Sequence, residues 1–186
     1  MGSSLNAGGN VNVNARNDLA IIGSDINGDD SVALTAGNDI IIKAAENQFS
    51  SNSEDSHLSA GAGANFGSNG VGFTANMAMG EGELDREGTN HSNSHITAGN
   101  NLTVKSGNDT TIAGGNLAAT DVDMDIGGNL TVASVQNTSQ VEGDRWDVSA
   151  NITVGAGASG GASVGYGETE GSSAWVNEQS SIIGSG

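Results

Sequence analysis

One stretch of this chain occurs twice, and the doubling restricts the folds open to it. Residues 99–136 read GNNLTVKSGNDTTIAGGNLAATDVDMDIGGNLTVASVQ, and residues 9–47 read GNVNVNARNDLAIIGSDINGDDSVALTAGNDIIIKAAEN. Val11 answers Leu102, Asp18 answers Asp109, Ile21 answers Ile112 and Gly23 answers Gly114, each 91 positions later. Past Ile26 and Leu117 the offset falls to 90, as a single residue of slip in a loop produces. Within each copy, short apolar alternations such as Leu102/Val104 and Leu130/Val132 are followed by small, polar or Gly-rich breaks. Alternation puts every second side chain on one face of a strand, and no run shows the 3.6-residue period of a helix.

A finer period lies inside each copy. Asn17-Asp18 is answered by Asn38-Asp39, 21 residues on, and Asn108-Asp109 by Gly128-Asn129, 20 residues on. Strand starts fall about every seven residues, at Val11, Leu19, Ile26, Val32 and Ile40. About three strands per turn of about 20 residues is the arithmetic of a three-sided β-solenoid. Asn17, Asp18, Asn38, Asp39, Asn108, Asp109 and Asn129 then mark its corners, where stacked Asn side chains can form an amide ladder and tolerate left-handed backbone angles.

Composition agrees with that reading. Hydrophobic residues are 35% and aromatics only 3%. That is little for a globular core of 186 residues but enough for a narrow column of Val, Ile, Leu and Ala. Thirty glycines supply tight corners, and the absence of proline spares every ladder donor. A net charge of −17 argues against nucleic acid or a sulfated glycan as partner, and serves solubility and edge protection of sheets. No cysteine is present, so there is neither a disulfide framework nor a thiolate metal site. No segment has the 18 consecutive apolar residues of a transmembrane helix. Residues 1–4 look like an added leader, and the end, SIIGSG, resembles the SHITAG that opens the second solenoid copy. The expectation is a fragment of a longer repetitive protein.

Between the solenoid copies the pattern changes. Residues 49–56 form a polar break. Leu58, Ala60, Ala62, Ala64 and Phe66 then alternate with small polar residues, as do Val71, Phe73, Ala75, Met77 and Met79. Asn69-Gly70 between them is a strong hairpin signal. Residues 80–95 are acidic and expected to be mobile. The pattern returns at Trp146, Val148, Ala150, Ile152 and Val154, followed by a Gly/Ser/Ala turn at 157–161 and a second strand to Tyr166. The chain therefore divides into two repeats, about 5–95 and 96–186, forming one elongated module. Each repeat is solenoid followed by a Gly-rich antiparallel β-hairpin excursion.

The motifs GNNLTVKSGNDTTIAGGNL (99–117), GGNLTVASVQNT (127–138), their first-copy counterparts and the tail WVNEQSSIIGSG (175–186) resemble the repeats of large filamentous-haemagglutinin-like exoproteins. Gram-negative bacteria export these by two-partner secretion. The alternation of solenoid and excursion is most similar to the second haemagglutinin-repeat region of CdiA-type proteins of contact-dependent growth inhibition. The resemblance implies an all-β fold, a right-handed parallel β-helix carrying two antiparallel hairpins, and the right hand is also the usual one for parallel crossovers. It implies a secreted, cell-surface location and a non-catalytic role in carrying a C-terminal toxin across a neighbour's outer membrane. The implied partners are that membrane or its receptor and translocation machinery, and the outer-membrane secretion partner of the parent protein. No cofactor, nucleic acid or small-molecule substrate is implied. Relatives with such repeats include adhesins and haemolysins, so a passive stalk or attachment segment stays open.

A β-helix can also cleave polysaccharides, so acidic groups matter. Asp121, Asp123 and Asp125 share one face of a strand, either as an acid/base or cation cluster or as a solvated outer face with Val122, Met124 and Ile126 inward. No His, Arg or Lys lies in that strand to tune a pKa, which favours the outer face. Asn27-Gly-Asp-Asp30 reads as a calcium turn or an ordinary acidic turn, and the Gly-Gly-x-Gly-x-Asp calcium repeat is absent. His57, His91 and His95 have no carboxylate at a supported metal spacing and read as surface residues. No Gly-x-Ser-x-Gly turn stands in strand-to-helix context. The excursions carry the sharper expectation. Alternating strands of nine or ten residues match the length that crosses an outer membrane, and Phe66, Phe73, Trp146 and Tyr166 would face the membrane or a partner. The alternative, favoured by the weak membrane partitioning of Gly and Ala, is that the hairpins pair with each other and pack as a soluble sheet against the solenoid.

Overall fold

The computed structural model describes residues 2–67, 70–155 and 157–186, and it is all-β, with no helix among those residues. The chain divides into two units. One comprises Met1–Phe49, Thr89–Thr138 and Ala174–Gly186, and the other Ser50–Gly88 and Ser139–Ser173.

The first unit is built from short strands. Before the first excursion come β1 (Ser4–Ala7), β2 (Val11–Ala15), β3 (Leu19–Ile22), β4 (Asp25–Gly28), β5 (Ser31–Ala36) and β6 (Ile40–Lys43). The long strands β7 (Ala45–Gly67) and β8 (Gly70–Ser92) follow. Then come β9 (Ser94–Ala98), β10 (Asn101–Ser106), β11 (Thr110–Ala113), β12 (Gly115–Ala119), β13 (Asp121–Ile126) and β14 (Leu130–Ala133). The chain ends with β15 (Asn137–Val154), β16 (Ala158–Trp175) and β17 (Ser181–Gly184).

The short strands fall into three sheets, ordered β1-β4-β9-β12-β17, β2-β5-β10-β13 and β3-β6-β11-β14. Every described pairing in them is parallel, and the chain visits the three in rotation. Strict register stacks like on like. Leu5, Ile26, Ile96, Leu117 and Ile182 make one column. Val13, Leu34, Val104 and Met124 make a second, and Ile21, Ile42, Ile112 and Val132 a third. Leu34, Ile42, Ile96, Leu102, Val104, Ile112 and Leu117 are wholly buried. Each such side chain contributes about 1.5–3 kcal/mol relative to exposure. This explains how a chain with so few aromatics builds a core. Val122 and Met124 pack against it while Asp121, Asp123 and Asp125 are exposed, so those aspartates are the solvated outer face, with Lys105 paired to Asp125.

The corners fall where the Asn-Asp marks are, but their ladder differs from the expected one. It is carried by aspartate. Asp39 Oδ1 accepts from the Asp109 N–H and from Asn108 Nδ2, both at 3.0 Å, and Asp109 Oδ1 accepts from the Asn129 N–H at 2.7 Å. Asp18 Oδ1 accepts from the Asp39 N–H at 3.3 Å. Asn17 and Asn38 instead join through backbone, the Asn38 N–H donating to the Asn17 carbonyl at 2.9 Å. A carboxylate offers two acceptor oxygens and no donor, which suits a row of N–H groups better than an amide does. No described non-glycine residue has a positive φ. That conformation falls at Gly23 and Gly114, with φ of 53° and 79°. At Asn27-Gly-Asp-Asp30, the Asp30 Oδ1 accepts from Asn100 Nδ2 at 2.6 Å.

The long strands form a fourth sheet, ordered β16-β15-β8-β7 and antiparallel. They overrun the lengths expected from the apolar pattern. Residues 49–56, expected as a break, lie within β7, and residues 80–92, expected as mobile, lie within β8. Polar and acidic residues there keep the period of two, so the ladder continues where the hydrophobic signal stops. The second turn is also displaced. β16 begins at Ala158, and the Gly155 N–H donates to the Gly157 carbonyl at 2.9 Å, so residues 158–161 are strand rather than turn. Of the Asn69-Gly70 turn, Asn69 lies outside the described residues, while Gly70 has a φ of 114°.

Candidate functional site

Contacts along the antiparallel sheet assign its two faces. A Cβ on Gly61 would meet the Asn76 side chain, one on Gly63 the Thr74 hydroxyl, and one on Gly161 the Asn151 side chain. A Cβ on Gly80 would meet both His57 and Asp147. Ser149 Oγ and Ser163 Oγ lie 2.6 Å apart. One face is therefore polar and glycine-rich, carrying His57, Thr74, Asn76, Asp147, Ser149, Asn151 and Ser163. His57 Nε2 lies 3.7 Å from Asp147 Oδ1, and Arg145 Nε lies 3.5 Å from Asp147 Oδ2.

Period two then puts the apolar residues of all four strands on the other face. They are open to water: Leu58 is 71% exposed, Phe66 79%, Phe73 60%, Ile152 59% and Tyr166 85%. Val71, Met77, Met79, Val154 and Val164 are exposed as well. Toward the other end of the strands the same face turns acidic. Glu54, Glu81, Glu83, Asp144 and Glu168 line one groove together with Trp146 and Tyr166. Glu142 and Glu170 line the next. Asn52 Nδ2 donates to Glu83 Oε1 at 3.0 Å and to Asp85 Oδ1 at 2.8 Å, which holds some of that charge in place.

Thus Phe66, Phe73, Trp146 and Tyr166 all sit on one face, but in different places. Phe66 and Phe73 lie in the apolar field. Trp146 and Tyr166 stand at its border with the carboxylates. The acidic run at 80–95 is plain in the sequence, but its alignment with acidic residues of β15 and β16 into one band is not. Its signal was the charge alternation itself: Glu81, Glu83, Asp85 and Glu87 in β8, Glu142 and Asp144 in β15, Glu168 and Glu170 in β16.

Of the three histidines expected at the surface, His57 and His95 are exposed and His91 is not. His91 is half-buried, with Nε2 4.0 Å from Glu46 Oε2 and a buried Nδ1 that has no hydrogen-bond partner among the described residues. His95 has Nδ1 3.0 Å from Asp25 Oδ1 and Nε2 3.0 Å from Glu178 Oε1. The Glu178 hydrogen bond is the largest cause of a raised His95 pKa; burial opposes it, and Asp25 adds to it. Asp25 is 70 residues away in sequence and Glu178 is 83, separations too long for local spacing to reveal. Among the described residues no group of three His, Cys, Asp or Glu could hold a metal ion.

Parallel strands stacked 20 or 21 residues apart within each copy, interrupted by long paired strands, make this an all-β repeat protein. The hemagglutinin repeat family model matches residues 1–148, and the chain belongs to that family. Proteins with these repeats are secreted surface exoproteins exported through the outer membrane. The chain is 33% identical to the tRNA nuclease CdiA of Yersinia mollaretii, over 89% of its own length and 6% of that protein's. It is 32% identical to Toxin CdiA of Escherichia coli, over 97% of itself and 6% of the relative. It is also 32% identical to the 16S rRNA endonuclease CdiA of Enterobacter cloacae subsp. cloacae, over 96% of itself and 5% of the relative. The chain thus spans about one-twentieth of the length of these three relatives. No solved structure matches it.

Proposed function

We propose that this chain is a non-catalytic repeat segment of a contact-dependent inhibition exoprotein, and that its antiparallel sheet helps deliver a toxin across the outer membrane of a neighbouring bacterium. On this reading the short strands form a right-handed parallel β-helix that acts as a rigid spacer. Residues 5–95 and 96–186 are its two repeats, each carrying one hairpin. The nuclease activities in the relatives' names belong to parts of those proteins outside the matched segment. The parent would leave its own cell through an outer-membrane secretion partner and meet the target's outer membrane, its receptor or its translocation machinery.

The observation that carries the reading is the division of one sheet face into an exposed apolar field and an acidic band, with Trp146 and Tyr166 at the border. Membrane β-strands alternate apolar-out and polar-in, and Trp and Tyr settle where hydrocarbon meets water. The opposite face, with its Ser, Thr, Asn and Gly, suits a wet lumen. No described helix is long and apolar enough to cross a membrane, which leaves crossing by strands untouched.

The test is to incubate the chain with outer-membrane lipid vesicles and digest with protease. Protection of peptides 57–79 and 146–166 is expected. Absence of protection under every lipid and pH condition would sink the insertion reading. The passive-stalk reading is separated by deleting both hairpins from the parent. A stalk tolerates the deletion, whereas a delivery segment stays displayed and loses killing.

A further inference from the structure

We propose that the apolar face of the antiparallel sheet is a self-association surface in water, over which two copies of this chain close as a two-sheet sandwich with strand directions reversed. The inference needs only the exposure of that face and does not depend on delivery.

Size comes first. Four strands at ~4.8 Å spacing and about nine apolar-alternating residues at ~3.3 Å rise cover about 600 Å² in plan. That equals or exceeds the largest apolar patch of a typical soluble monomer, roughly 300–600 Å². The relief of the side chains raises the accessible area toward the ~800 Å² per partner of a standard stable interface. Shape agrees. Ala62, Ala75 and Ala150 lie between large exposed neighbours such as Phe73 and Ile152, which gives hollows and knobs that two sheets ~10 Å apart can interleave.

Charge selects both the occupant and its direction. The carboxylates Glu54, Glu83, Asp144 and Glu168 begin immediately beside Trp146 and Tyr166. If the copies faced each other with strands running the same way, these acidic rows would stack and repel. Reversal places each acidic band beyond the partner's hairpin tips, in water, while the apolar fields still overlap. A patch with acid at one end only is therefore compatible with its own reversed copy.

The experiment is sedimentation of the full chain in lipid-free buffer. A reversible dimer is expected. Phe73→Glu with Ile152→Glu should weaken it about 100-fold or more, because each copy then brings two uncompensated carboxylates into the seam. Thr74→Glu, on the opposite face, should leave it unchanged. Hydrogen exchange of β8 and β15 shows whether the double variant retains its sheet. The chain has no cysteine, so single replacements report orientation. Ala75→Cys, mid-field, should cross-link to itself, and Val71→Cys, near the tip, should not. A chain that stays monomeric up to ~100 µM, or a dimer indifferent to Phe73→Glu/Ile152→Glu, overturns the proposal. Self-cross-linking of Val71→Cys overturns the reversed orientation. Vesicles of phosphatidylethanolamine and phosphatidylglycerol separate this from the membrane reading. Vesicle binding by a chain that is monomeric in buffer defeats self-association alone. A dimer that ignores vesicles supports self-association and counts against insertion.

Discussion

His95 Nε2 lies 3.0 Å from Glu178 Oε1, joining β9 to the segment between β16 and β17. Asp25 Oδ1, 3.0 Å from Nδ1, takes the other ring nitrogen, so the doubly protonated ring satisfies both carboxylates at once. Asn93 and Asn116 also donate to Glu178, to its carbonyl and its carboxylate respectively.

This arrangement makes the return segment pH-sensitive. The ordinary histidine value is 6.5, and in the folded chain it is raised, chiefly by the Glu178 hydrogen bond, with burial opposing and Asp25 adding. Stabilisation is therefore fully present below pH 6.5 and is lost as pH rises through the higher folded value. Hydrogen-exchange protection factors of Val176–Ser181, with the intrinsic rise of exchange with pH divided out, should be higher at pH 5.5 than at pH 8. His95→Gln should remove most of that difference. An unchanged pH response in the variant would place the switch elsewhere.

Ile112 is wholly buried, between Ile42 and Val132 in its column. Ile112→Ala should cost about 2–5 kcal/mol in urea unfolding of the short-strand unit. Ile112→Asp should abolish the cooperative transition, since the carboxylate would have no partner in the column.

Glycines at one corner are packed against backbone. A Cβ on Gly107 would stand 2.1 Å from the Gly37 carbonyl oxygen, and one on Gly127 2.2 Å from that of Gly107. Backbone cannot swing aside as a side chain can. Gly107→Ala should cost about 1–3 kcal/mol, visible as a lowered melting temperature. Gly171→Ala, where a Cβ meets nothing within 4 Å, should be neutral or mildly stabilising.

Asp39 accepts two hydrogen bonds from the next turn of the chain. Asp39→Ala should lose about 1–2 kcal/mol. Asp39→Asn should recover only part of it, because an amide offers one good acceptor and two donors to a row of donors. Paired thermal melts of the two variants check the order.

The columns were legible in the sequence because within each copy the turns repeat at 20 or 21 residues and the buried positions alternate in plain view. Leu102, Val104 and Ile112 were placed by pattern alone. The long strands were legible only where their alternation is apolar. Past Met79 and before Trp146 the same period is written in Glu, Asp and Gly, which hydropathy reads as loop. The His95 cluster was hidden for a different reason. The first excursion separates Asp25 from His95, and the second separates Glu178 from His95, so their meeting depends on inter-strand register rather than on local spacing.

In all four sheets the spatial order of strands follows their order along the chain. No strand slides between two that precede it, and each adds to an edge that earlier residues have completed. A polypeptide arriving amino end first could thus fold as it emerges, each new turn templated by the one before. Successive turns lie 20 or 21 residues apart within each copy, and where a long hairpin intervenes about 70 residues apart. That hairpin's ends are brought together by its own strands, so the loop closed at each step stays entropically cheap. A chain built this way can be threaded unfolded through a narrow pore and draw itself out by folding on the far side.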